Sequence, residues 1–226
     1  MKIVIATIKS WNITNALRFK ESRTEDEVFI ISRKDELNLQ NIQRIQPQYI
    51  FIPHWSYIIP ETIYENWNCV VFHMTDLPFG RGGSPLQNLI VRGYKETRIS
   101  AIKVTGQVDA GPIYLKRDLG LEGSAQEILK RASDLIFNEM IPCFLGRELS
   151  PMAQEGEVTL FKRRRPEESV IPAGMGLQQL YDHIRMLDGE GYPRAYLELD
   201  HCVIEFFNAE YKNGRIKAVV EIKEEP

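Results

Sequence analysis

The sequence predicts an α/β fold, a Rossmann-like and mostly parallel sheet with helices on both faces, followed by a small C-terminal α+β domain. Three observations predict it. Short apolar runs rich in β-branched residues alternate with amphipathic segments through the first half of the chain, the pattern of βαβ units whose strands are buried on both faces. Two of these runs open into Gly- and Pro-containing loops that carry ionisable side chains, as loops at the carboxyl ends of strands in an open sheet do. Beyond residue 150 the texture changes to a polar connector, one amphipathic helix and three strand-like runs joined by turn residues. Residues 1–150 are therefore assigned to the α/β domain, and residues 151–226 to a linker and the small domain.

Taken in order, residues 2–8 read as a buried strand, residues 7–12 as the loop after it and residues 13–20 as a short amphipathic helix. The opening lacks Gly-x-Gly-x-x-Gly, so a dinucleotide pyrophosphate cradle is not predicted. Strands over 28–32 and 49–53 flank a helix over 35–45. The loop from His54 to Pro60 carries Trp55 and Tyr57, flat surfaces suited either to clamping a planar ligand or to capping the core. A short helix over 61–65 leads to the apolar strand 69–72, which ends in His73-Met-Thr-Asp-Leu-Pro-Phe-Gly-Arg-Gly-Gly-Ser-Pro85. Pro85 suits the first turn of a helix over 84–91. Strands over 99–105 and 113–118 bracket a second Gly/Pro loop, Gly106-Gln-Val-Asp109-Ala-Gly-Pro112. The longest helix, 124–145, has Ile128, Leu129, Ala132, Leu135, Ile136 and Met140 on one face, and Ser124 and Glu127 at capping-box spacing. Residues 151–156 read as a polar connector, 159–164 as a strand and 166–176 as a linker. A helix over 177–187 stops at a Gly-rich turn. Strands over 195–199, 202–208 and 216–222 complete the chain, with Asn213-Gly214 as a tight-turn signal.

The composition, 43% hydrophobic and 26% charged over 226 residues, is that of a globular protein. No run approaches the roughly 18 apolar residues of a membrane span. The first residues read as a strand rather than a signal peptide, which predicts a cytoplasmic protein. Cys69, Cys143 and Cys202 lie far apart without ligand spacing, so neither a disulfide framework nor a metal site is expected. A net charge of −3 argues against nucleic acid as the main partner. The basic run from Lys162 to Arg165 is read as a solvated surface segment.

The chemistry-bearing candidates are His73 and Asp109, an imidazole able to exchange a proton near neutral pH and a carboxylate to orient it. The segment from Arg81 to Ser84 combines a permanent cation, two glycines and a hydroxyl before a helix start. It suits a phosphate or sugar hydroxyl, and equally a turn that needs glycine. Lys9, Trp11 and Asn12, after the first strand, would face the same cleft.

His73, Leu77-Pro78, Arg81-Gly82, Pro85-Leu-Gln87 and Asp109-Ala-Gly-Pro112, in that order, resemble the motifs of the folate-dependent formyltransferases: methionyl-tRNA, glycinamide ribonucleotide and nucleotide-linked amino-sugar enzymes. Tyr57-Ile-Ile-Pro60 is similar to that family's folate-cleft segment. The resemblance implies 10-formyltetrahydrofolate as formyl donor, lined by Tyr57, Ile58, Ile59, Val104 and Asp109. It implies catalysis by His73 and Asp109, and an amine acceptor near Lys9, Trp11, Asn12, Phe79, Arg81, Gly82 and Ser84. One departure stands out: the family's asparagine, two residues before the histidine, is Val71 here. Asn88 is the named replacement donor for the oxyanion, with Ser84, Gln87 and Asn12 behind it.

From Leu160 onward acids outnumber bases by two, opposite to what tRNA phosphates ask for. The segments from Thr7 to Asn12 and from Phe51 to Trp55 resemble formyltransferases of pseudaminic-acid-type sugar pathways. This implies a nucleotide-linked amino sugar, a 4-amino-4,6-dideoxyhexose, as acceptor in surface glycan biosynthesis. The terminal domain is a candidate surface for a homodimer. Two other readings stay open: a formyl-folate hydrolase, and a non-catalytic folate- or nucleotide-sugar-binding protein motivated by Val71.

Overall fold

A computed structural model describes residues 1–224. In chain order the elements are β1 (Lys2–Ala6), α1 (Ser10–Ser22), β2 (Glu27–Ile31), α2 (Leu39–Ile45), β3 (Tyr49–Pro53), α3 (Glu61–Tyr64), β4 (Cys69–His73), β5 (Arg81–Gly82), α4 (Pro85–Val91), β6 (Glu96–Lys103), β7 (Ile113–Gly120), α5 (Ala125–Leu135), α6 (Ile141–Gly146), β8 (Leu160–Phe161), α7 (Leu177–Arg185), β9 (Ala195–Leu199), β10 (Cys202–Lys212) and β11 (Arg215–Glu224). The described chain forms two compact units interleaved in sequence, residues 1–81, 98–119 and 130–160 in one and residues 82–97, 120–129 and 161–224 in the other. The sequence reading drew a single break near residue 150.

The first unit is built on a six-stranded sheet of order β2-β1-β3-β4-β6-β7, parallel from β2 to β4, with β6 antiparallel to β4. Ile5 lies opposite Phe51, and Pro53 opposite Phe72, so the parallel strands end level and their following loops emerge at one end. Period-two alternation puts Val4, Ala6, Ile50, Ile52 and Cys69 in one cluster with Ile42, Ile45 and Ile63 of α2 and α3. Val71 packs against this cluster, and the same alternation places His73 on its face. Burial without a charged partner pushes the Cys69 thiol up to about 12, so it behaves as an inert hydrophobe.

Three helical segments differ from expectation. Helix α1 begins at Ser10, so Trp11 and Asn12 belong to its first turn, where they bury with Ala16 and Phe19 on one face. The expected helix over 35–45 is a 3₁₀ turn at Lys34–Glu36 followed by α2, whose start is capped by Asn38 accepting from the Asn41 amide at 2.9 Å. The long helix over 124–145 begins as expected, with Glu127 accepting from the Ser124 amide at 2.8 Å and Ser124 accepting from the Glu127 amide at 3.3 Å. It then passes through a π turn at Ile136–Met140 before α6. Pro142 in the first turn of α6 has no N–H to continue the ladder, which accounts for the break.

In the second unit α7 packs against β10 and α4, and β9, β10 and β11 form an antiparallel sheet. Asn213 and Gly214 both have positive φ, 52° and 67°, as a two-residue hairpin turn requires. His183 on α7 is buried, with Nε2 3.1 Å from the Ser169 carbonyl. Burial holds this imidazole below its ordinary value of 6.5, and the Ser169 bond only partly opposes that. Between the depressed folded value and 6.5, only the unfolded chain takes up the proton, so stability is lost as pH falls through that range. His183→Gln should flatten the loss, measured as urea midpoints at about pH 7.5 and about pH 5.5. An unchanged slope would contradict the assignment.

Candidate active site

His73 is the last residue of β4, and its side chain is 8% exposed. Its Nε2 lies 2.8 Å from the Gly80 carbonyl, which can only accept, so that nitrogen carries a hydrogen. Its Nδ1 lies 3.5 Å from the Asp109 carboxylate, itself 16% exposed. The segment after His73 is held by side chains of β6 and β7. Ser100 of β6 donates to the Thr75 carbonyl at 2.7 Å and accepts from the Leu77 amide at 3.3 Å. Lys116 of β7 donates to the Leu77 carbonyl at 2.6 Å and pairs with Asp76. Asp109 has φ 52°, a left-handed conformation that Asp tolerates better than most residues. Two residues on, Gly111 lies so close to the Lys103 carbonyl that a Cβ would overlap it, so glycine is required for the loop to reach this position.

At the same sheet end, Trp11 meets His54 edge to face, ring centroids 5.5 Å apart, and the Lys9 ammonium lies 5.8 Å from the Trp11 ring. Asn12 is 2% exposed, and its carboxamide oxygen is buried with no hydrogen-bond partner. The Trp55 indole N–H is likewise buried without an acceptor. Trp55 packs edge to face on Tyr57 at 5.6 Å, and the Lys34 ammonium lies 5.2 Å from the Tyr57 ring. Ile59 and Val104 pack with Trp55 and Val71 against the apolar cluster, whereas Ile58 is 84% exposed. The first unit holds His73, Arg81 and the half-buried Phe79 on and after β4, Asp109 after β6, and Lys9, Trp11 and Asn12 around the start of α1.

Gly82, Ser84 and Asn88 belong to the second unit. Gly82 has φ 107°, and a Cβ there would overlap the Phe161 carbonyl. Ser84, φ 50°, accepts the Arg164 amide on its hydroxyl at 3.1 Å. The Asn88 amide nitrogen donates to the carbonyls of Lys162, Ser84 and Gly83 at 2.9, 3.0 and 3.1 Å, and its oxygen accepts from Arg92 at 2.7 Å. A carboxamide committed at both ends has no hydrogen left for a substrate. The expectation that Asn88 donates to an oxyanion does not fit these bonds; its position under β8 makes it a brace. Gln87, also a reserve candidate, donates to the Met186 carbonyl at 3.3 Å.

Sequence reasoning passed over Gln154, in the connector after α6. It accepts from Arg81 and donates to the carbonyls of Asp109 and Gly111. No periodicity or motif marks it. Among the described residues no group of three or more His, Cys, Asp or Glu is arranged to hold a metal ion, and no helix is long and apolar enough to cross a membrane.

A Rossmann-like sheet with an imidazole at the end of β4 and a carboxylate 3.5 Å from it is an arrangement able to exchange a proton beside a ligand. The chain belongs to the formyl transferase family, whose profile matches residues 11–133, and the profile of the methionyl-tRNA formyltransferase C-terminal domain matches residues 166–223. It is 57% identical to a structure titled methionyl-tRNA formyltransferase from Clostridium thermocellum, covering 100% of both chains with a TM-score of 0.97. It is 28% identical over 183 residues to the methionyl-tRNA formyltransferase of Bacillus mycoides, covering 77% of this chain and 57% of that protein. The chain thus spans little more than half the length of that relative. A 4-N formyltransferase from Francisella tularensis shares the fold at 13% identity, covering 96% of both chains with a TM-score of 0.68.

Proposed function

We propose that the protein transfers a formyl group from 10-formyltetrahydrofolate to the primary amine of a nucleotide-linked amino sugar. The observation that carries the transfer reading is the buried His73 at the end of β4 with the half-buried Asp109 3.5 Å from it, in a formyl transferase chain. The donor supplies an activated formyl carbon. The residues at β3 fit such a ligand: the unpaired Trp55 N–H matches the acceptor atoms of a pterin, and Tyr57, Ile59 and Val104 offer flat and apolar surface beside it.

In this reading the Asp109 carboxylate orients the ring through Nδ1, leaving Nε2 to work on substrate. On release from the Gly80 carbonyl the ring carries its single hydrogen on Nδ1, donated to Asp109, so the bare Nε2 takes the proton of the acceptor amine as the carbon–nitrogen bond forms and returns it to the leaving folate nitrogen. Water exclusion around a histidine only 8% exposed strengthens these interactions. Val71 brings no polar atom to this face, and the unpaired atom of Asn12 is its carboxamide oxygen, which accepts and so does not serve as the oxyanion donor.

Asn12 is assigned to the acceptor, because its buried oxygen needs an N–H or O–H that no protein group supplies. Asn12→Leu should then raise the KM for the acceptor about tenfold or more while stabilising the fold by about 1–3 kcal/mol, since an unmet buried polar group is removed. A loss of stability with KM unchanged would contradict this.

The amino-sugar acceptor is supported by the acidic balance beyond Leu160, which is unsuited to tRNA phosphates. A second reading, methionyl-tRNA, is favoured by the profile match over residues 166–223. Mass spectrometry on a panel of UDP- and dTDP-linked 4-amino sugars and on methionyl-tRNA, each with 10-formyltetrahydrofolate, separates them. A sugar product heavier by one CO supports the first reading; formylation of methionyl-tRNA alone replaces it with the second. Folate turnover with no amine present would indicate a hydrolase, and tight binding without turnover a binding protein.

A further inference from the structure

The His73–Asp109 pair sits inside a closed circuit of contacts whose remaining member is Gln154. From His73 Nε2 the path runs 2.8 Å to the Gly80 carbonyl and along the chain to Arg81. Arg81 donates through Nε at 3.0 Å and Nη2 at 2.7 Å, both to Gln154 Oε1. Gln154 Nε2 donates to the carbonyls of Asp109 and Gly111, each at 2.8 Å. Asp109 closes the circuit at His73 Nδ1, 3.5 Å away. All of these residues lie in the first unit.

We propose that Gln154 is a positioning residue that sets the Asp109 carboxylate against His73 by tying the backbone of the Asp109 loop to Arg81. The chemistry demands an amide. Oε1 has two lone pairs and meets two guanidinium hydrogens, while Nε2 has two hydrogens and meets two carbonyls, so all four of its hydrogen-bonding positions are used. Glutamate would keep the Arg81 contact and turn a carboxylate toward two carbonyls. Alanine would lose both sides. The connector carrying Gln154 is registered on β7 by Met152, which exchanges both backbone bonds with Ile113 at 2.7 and 2.9 Å, so the tether is anchored. What it holds needs holding: Asp109 is a non-glycine residue at φ 52°.

The inference rests on reading His73 and Asp109 as the proton-handling pair, and its test has an arm that does not use activity. The ring nitrogens of His73 are observed by ¹⁵N NMR at fixed pH in the wild-type chain, Gln154→Ala, Gln154→Glu and, as a surface control, the exposed neighbour Glu155→Ala. With four histidines in the chain, one His73→Ala spectrum assigns the signals. Both Gln154 variants should shift the His73 nitrogens and leave those of His183 in place, with Glu155→Ala unchanged. In formyl transfer both should lower kcat about tenfold or more with KM for the donor within about twofold, the pattern of a misplaced reacting group. His73 signals identical to wild type in a folded Gln154 variant overturn the proposal, as does a rise in KM with kcat retained. If the wild-type chain transfers no formyl group, the function reading fails and the NMR arm alone decides the role of Gln154. If the alanine variant fails to fold, the glutamate variant decides.

Discussion

Asp109→Asn lowers kcat by about 10²–10⁴-fold, the range expected when positioned proton transfer is lost, and His73→Ala does at least as much. Asparagine keeps the volume and the tolerance for φ 52°, so the loop stays where it is. What changes is the charge 3.5 Å from Nδ1: a carboxylate that only accepts becomes an amide that can turn a donor toward the ring. The ring then loses its orienting partner, and Nε2 loses the support it needs when it takes a proton from the amine. Because neither group binds the remote parts of a substrate, KM for donor and acceptor should stay within about threefold. The double variant should be no slower than the slower single one, since the pair acts as a unit. An Asp109→Asn enzyme within about threefold of wild type in kcat would remove Asp109 from the mechanism.

Arg185→Met destabilises the protein by about 3–5 kcal/mol, the cost of leaving a buried ion without its partner. Arg185 is 4% exposed on α7. Its Nε donates to Asp182 at 2.6 Å, and its Nη1 donates to the carbonyls of Leu121 and Gly123 at 2.6 and 2.8 Å, with the guanidinium 5.5 Å from the Tyr181 ring. Methionine replaces the stem and none of the hydrogens, so one carboxylate and two carbonyls go unmet in the interior. Asp182 retains only the Gln178 amide at 2.9 Å. Adding Asp182→Leu should recover part of the loss, because the orphaned charge is removed with it. Urea unfolding reads both variants. A single-variant loss below about 1 kcal/mol would mean that water reaches this pair and that it acts as a surface bridge.

Much of the first unit was legible because its signals are local. Continuous β-branched runs marked β1, β3 and β4, and the Gly/Pro loops singled out His73 and Asp109, although the loop with Asp109 follows β6, which runs antiparallel to β4. Ser124 and Glu127 announced the start of α5, and Asn213-Gly214 the final hairpin. What the sequence did not disclose depends on contacts distant along the chain. Trp11 and Asn12 enter α1 because they bury against the sheet, which no cap signal announces; the residue before the helix, Lys9, makes no side-chain cap. Asn88 looked like a free polar group one turn into a helix, but three backbone carbonyls claim its amide, one of them 74 residues away. Gln154 lies in a polar connector without periodicity, and its partners are 73, 45 and 43 residues distant. The interleaving of the two units is invisible to composition for the same reason.

The most direct measurement is single-turnover formyl transfer by the wild-type chain, His73→Ala and Asp109→Asn, from 10-formyltetrahydrofolate to the amine acceptor picked out by the panel, with the product followed by mass. The account predicts a product heavier by one CO at the wild-type rate, slowed by about 10²-fold or more in each variant with both substrates still bound. Product formed by either variant at the wild-type rate would contradict the claim that this pair carries the reaction.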